Sequence, residues 1–95
     1  MDARQEYVNK LKAQLDEWSA EIGRLEKKGE KAEAQMRKEY EDQVRDLRKK
    51  YKDAQDQLDE LTSSGESAWD DMVKGMEQAY EKMADAMKKA TARFK

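Results

Sequence analysis

One stripe of apolar residues limits what this chain can become: Val8, Leu11, Leu15, Trp18, Ile22, Leu25, then Ala32, Met36, Tyr40, Val44, Leu47, Tyr51, Ala54, Leu58 and Leu61. The steps are mostly three and four residues. At 3.6 residues per turn such steps return to the same side of an α-helix, so the stripe reads as one long, narrow seam of coiled-coil type. Composition fits that reading. Charged residues are 44% of the 95 and the hydrophobic class only 37%, too few large apolar side chains for a conventional globular core. Disorder is the competing outcome for a charge-rich chain. The absence of proline and the regular phase of the apolar residues argue for helix instead.

The exposed faces carry acid-before-base pairs four apart, Glu6 with Lys10, Glu33 with Arg37, Glu41 with Arg45 and Asp46 with Lys50. Each such pair supports an exposed helix by about 0.2–0.5 kcal/mol. Asp2 is placed to cap the first turn. Gly29, after Lys27 and Lys28, resembles a helix C-cap and raises the alternative of a three-helix bundle broken there. No Ser, Thr, Asp or Asn follows to start a new helix, and no polar loop intervenes, so a continuous helix over 3–62 is the preferred expectation. Past Met36 two successive steps of four slip the seam, making the charged 33–56 stretch its weakest part.

Thr62-Ser63-Ser64-Gly65-Glu66-Ser67 gathers small, turn-prone residues and predicts a turn over 63–67, with Ser64, Gly65 and Ser67 as the hinge. Gly65 suits a left-handed C′ position, and Ser67 with Asp70 resembles a capping box. A second helix over 68–93 follows. It repeats every 11 residues: Ala68 to Gln78 aligns with Ala79 to Lys89, and Ala90 opens a third copy reaching Phe94. Eleven residues make three turns at 3.67 per turn, which hardly drifts on a straight helix. The broad apolar face so formed includes Trp69, Met72, Met76, Tyr80, Met83, Met87 and Phe94.

The resulting expectation is an all-α chain, one coiled-coil unit over 1–95, in which a long helix is followed by a turn and a shorter amphipathic helix folding back as a hairpin. The shorter helix covers the weak half of the seam. That leaves Val8, Leu11, Leu15, Trp18, Ile22 and Leu25 as an oligomer interface, most simply of a homodimer.

Chemistry is sparse. With no His and no Cys, the common general base, thiol nucleophile and imidazole ligand are missing, and the chain is expected not to be an enzyme. Asp53, Asp56, Asp59 and Glu60 lack the spacing and the glycine of a calcium loop, and no phosphate-binding loop occurs, so no metal, cofactor or small-molecule substrate is expected. The basic residues Arg45, Arg48, Lys49, Lys50 and Lys52 are interleaved with Asp42, Asp46 and Asp53, and net charge is −2, which argues against nucleic acid. The first residues hold no apolar leader and no run is long enough to span a bilayer, giving a cytoplasmic location as the expectation.

Two resemblances follow from these residues. Tyr7 to Trp18, Lys31-Ala32-Glu33-Ala34 and Gly65-Glu66-Ser67-Ala68-Trp69 resemble a group of small bacterial coiled-coil proteins of unassigned activity. The 11-residue period of the last helix is similar to that of apolipoproteins and other lipid-droplet or granule-coating proteins. The leading expectation is therefore a non-enzymatic structural or interaction protein that self-associates through coiled coils. The second is a peripheral binder of lipid or another apolar surface, using the 68–94 helix, whose methionines adapt to uneven surfaces.

Overall fold

The computed structural model describes residues 3–94. It is all-helical: α1 spans Ala3–Glu30, α2 spans Ala34–Ser63, and α3 spans Trp69–Arg93, preceded by a single 3-10 turn, Glu66–Ala68. The expected cap at Asp2 lies outside the described residues. The three helices pack against each other in a body 51 × 22 × 19 Å, about one helix long.

The continuous helix expected over 3–62 is therefore two helices. α1 tightens at its end, where the amides of Lys31 and Ala32 donate to the carbonyls of Lys28 and Gly29 at 3.2 Å. Glu33 then turns extended, with φ −63° and ψ 156°, and its carbonyl accepts from the Arg37 amide at 2.8 Å to begin α2. No side chain caps this start.

Burial explains why the chain breaks despite that. Val8, Leu15, Trp18, Ile22 and Leu25 are all buried by folding α1 back. Five such side chains are worth about 10 kcal/mol as an upper estimate. Against this stand about three helix hydrogen bonds at about 1 kcal/mol each and one missing cap of similar size.

The same fact corrects the expected exposure of the first seam. Val8 to Leu25 faces the chain's own α2 and α3, joined by Val44, Leu47, Ala54, Leu58 and Leu61 from α2 and Met76, Met83, Ala86, Met87, Ala90 and Phe94 from α3.

Direction follows from cross-helix pairs. Glu26 meets Arg48 and Gly29 meets Tyr40, so α1 and α2 are antiparallel. Glu39 meets Arg93 and Gln57 meets Gly75, so α2 and α3 are antiparallel as well. α1 and α3 are consequently parallel. α2 lies close to both neighbours, whereas the backbones of α1 and α3 are held apart by large side chains.

Ion pairs sit outside this core. Asp46 and Lys50 meet at 2.6 Å, and Asp85 and Lys89 at 3.0 Å, while Arg45 reaches back to Asp42 at 3.7 Å. All the charged side chains in these pairs are at least 40% exposed, so each pair adds at most about 1 kcal/mol.

Candidate functional site

Three aromatic pairs tie α3 into the structure, and they form the most organised feature that the side chains build. Tyr7 and Trp69 meet edge to face with centroids 6.2 Å apart; Trp18 and Tyr80 are tilted at 5.0 Å; Tyr40 and Phe94 stack at 4.0 Å. The first two pairs share one register. Tyr7 and Trp18 are 11 residues apart on α1, as Trp69 and Tyr80 are on α3. Two parallel helices with matching three-turn spacings bring both pairs together about 16 Å apart along the axis. The 11-residue spacing thus belongs to α1 as much as to α3. The signal was present in the sequence at Tyr7 and Trp18 but was hidden within the heptad reading of the seam.

Tyr80 does a second job. Its hydroxyl donates to the Leu11 carbonyl at 2.9 Å, linking α1 to α3 directly. Burial pushes its phenol well above the ordinary value of 10.0, with Tyr51 and Tyr7 adding to the effect. Tyr7 is raised too, first by burial and then by the carboxylate of Glu77. Both shifts favour the neutral phenol.

Below these pairs, the Arg4 guanidinium lies 4.9 Å from the Trp69 ring centroid and 4.0 Å from the Glu66 carboxylate. This latch joins the α1 start to the connection before α3. That connection differs from its expected form. Ser64, not Gly65, follows the end of α2, with its hydroxyl donating to the Leu61 carbonyl at 2.8 Å. Gly65 has φ −79° and ψ 174°, so it is extended instead of left-handed. Ser67 lies inside the 3-10 turn, and neither that turn nor α3 has a side-chain cap, so no Ser67–Asp70 box forms.

The hairpin face predicted on α3 turns inward. Met76, Met83, Met87 and Phe94 are buried, and Trp69, Met72 and Tyr80 are half-buried. Of the six residues expected at an oligomer interface, five are buried within the chain and Leu11 is half-buried against the same core.

At the other end, Gly29 touches α2. A Cβ there would lie 2.7 Å from the Tyr40 Cβ, closer than two such atoms approach. Glycine at this position allows α1 and α2 to close tightly beside the turn. Tyr40 in turn carries Phe94, so turn, α2 and the end of α3 meet in one knot. Beyond the knot the chain is bare: from Glu30 to Glu39 every residue is exposed except the half-buried Ala32. Met36, at 42%, is the one exposed large hydrophobic among the described residues.

An open cleft of about 400 Å³ lies between α1 and α2 near this knot. Acidic Glu26, Glu30 and Glu41 share it with Arg37, Arg45 and Arg48, and Arg48 is already bonded to Glu26 at 2.9 Å. Charges of both signs therefore offset one another there. Among the described residues no group of three or more carboxylates converges to hold a metal ion, and no helix is long and apolar enough to cross a membrane.

No protein-family model matches the chain, and no curated protein or solved structure is significantly similar to it.

Proposed function

We propose that this is a non-enzymatic structural and interaction protein that self-associates through its helices. The observation that carries the reading is Met36. It lies on the apolar stripe of the sequence, yet it is left exposed where the remainder of that stripe is buried or half-buried. The side-chain chemistry points the same way. The Tyr7 and Tyr80 phenols, both raised by burial, are held within a helix interface, and the Asp46–Lys50 and Asp85–Lys89 ion pairs lie on the surface. Molar mass in solution from about 1 μM to about 1 mM tests the reading, on the scale where weak association is resolved. A mass rising toward that of a dimer is expected; a constant monomer mass removes it.

The second reading is attachment of α3 to an apolar surface. It is favoured by the methionine content of the buried face, Met76, Met83 and Met87, which adapts to irregular partners. It is favoured also by the connection over 64–68 that would act as the hinge, since neither the 3-10 turn nor the start of α3 has a side-chain cap. Flotation with anionic and neutral vesicles separates the two readings. Co-flotation with a blue shift of Trp69 emission supports the surface reading, and its absence leaves self-association alone.

A further inference from the structure

We infer that self-association occurs by exchange of α1 between two copies, through straightening of the Lys31–Glu33 connection into helix. The inference rests on the proposed self-association and specifies its partner and geometry. Three observations carry it.

The connection is made of residues that suit a helix. Lys31, Ala32 and Glu33 include no glycine or proline, and the start of α2 has neither a side-chain cap nor an acidic residue in its first turn. Besides the two 3.2 Å backbone bonds at the end of α1, the bend is held locally by one exposed side-chain hydrogen bond, from the Arg37 guanidinium to the Ala32 carbonyl at 3.3 Å, and short connections of this kind favour exchange. The apolar stripe also continues across it, through Gly29, Ala32, Met36 and Tyr40 in steps of three and four. A straight helix over 3–63 would therefore present one unbroken seam, about 90 Å long.

The third observation concerns symmetry. The antiparallel pairs Glu26–Arg48 and Gly29–Tyr40 are centred between residues 34 and 37. If α1 of each copy takes the place of α1 in the other, the same pairs form between chains. A two-fold axis then passes between residues 34 and 37. Met36 lies there, so the two copies of the exposed methionine meet at the axis and cover one another. The aromatic pairs Tyr7–Trp69 and Trp18–Tyr80 become contacts between chains, while Tyr40–Phe94 stays within one chain because α3 remains folded on its own α2.

The test uses Ala34→Pro and a distance measurement. Ala34 is the first residue of α2, where proline is tolerated, and Glu33 already has the extended geometry that a residue before proline prefers. In a straight helix the same proline would remove a hydrogen bond and clash with the preceding turn. Wild-type and A34P chains are annealed at about 1 mM, by warming through the melting transition and cooling, and their dimer constants are compared; A34P is expected to weaken the dimer by at least about 100-fold. In parallel, spin labels are placed on Glu17→Cys and Gln55→Cys in a chain without native cysteine, diluted into unlabelled protein. In the exchanged dimer these positions lie about 57 Å apart along one helix, against less than about 30 Å when α1 is folded back. A dimer that keeps only the short distance, or that A34P leaves unchanged, overturns exchange and leaves self-association standing. Monomers throughout, with only the short distance, overturn both.

Discussion

The two connections of this protein turn the chain by similar amounts and are built in opposite ways. Ser64 to Ala68 is made by local chemistry: small residues, a serine hydroxyl on the Leu61 carbonyl and an extended glycine. Lys31 to Glu33 has no glycine, no serine and no side-chain cap, only an exposed bond from the Arg37 guanidinium to the Ala32 carbonyl at 3.3 Å. It bends because Gly29 lets α1 lie against Tyr40 and because folding back buries Val8 to Leu25. One turn is encoded where it occurs, whereas the other is imposed by residues as distant in sequence as Val8. Only the second kind can be undone without changing a single residue in the turn.

The sharpest way to break the imposed turn is Gly29→Val. Its side chain must enter space held by the Tyr40 Cβ and ring. Overpacking of this kind costs about 2–3 kcal/mol. Urea unfolding of dilute protein should show that loss, and a neutral result would mean that the α1–α2 approach is looser than described. Gly23→Ala provides the control with opposite sign. A methyl group there meets nothing within 4 Å, so helix propensity alone decides and stability should rise by about 1 kcal/mol.

The missing cap gives a third test. Glu33→Asp places a shorter carboxylate where it can accept from the first amides of α2, and should raise stability by about 0.5–1 kcal/mol in thermal melts. By comparison, Ser64→Ala removes one part-buried hydrogen bond at the end of α2 and should cost about 0.5–1 kcal/mol. If the aspartate gave nothing while the serine cost much more, the contrast between an imposed and an encoded turn would be lost.

Alkaline pH probes the aromatic ladder that both turns align. The Tyr80 and Tyr7 phenols are raised in the folded chain relative to 10.0. The unfolded chain therefore ionises first. Their stabilising contribution is complete below pH 10 and falls as pH rises beyond it. Melts between pH 8 and pH 11 should show that decline, and Tyr80→Phe should reduce it while lowering stability at neutral pH by about 1 kcal/mol through loss of the Leu11 hydrogen bond. An equal decline in Y80F would assign the effect to other groups.

Much of this was legible beforehand. Helical content, the turn near Ser64 and Gly65, and the inward face of α3 follow from spacing and from small residues, because these act over one or two turns. Asp46–Lys50 formed as its spacing predicts. The Lys31–Glu33 break was not legible, since the local residues there favour helix and the stripe runs straight through. The role of Gly29 was visible only as a weak C-cap signal, because its contact partner, Tyr40, lies on the other helix. The ladder was half legible: the period of 11 stands out between Trp69 and Tyr80, but its counterpart between Tyr7 and Trp18 gains meaning only once α1 and α3 are parallel.

By itself the sequence determined that the chain is helical, that one seam runs along residues 8–61 and that a broader apolar face follows it. These are consequences of helical periodicity, which every stretch carries on its own. Tertiary structure alone decided what each seam faces. A lone helix cannot cover its own stripe, and burying Val8, Leu15, Trp18, Ile22 and Leu25 against α2 and α3 outweighs three helix hydrogen bonds and a missing cap. The bend at Lys31 to Glu33 is the result of that balance.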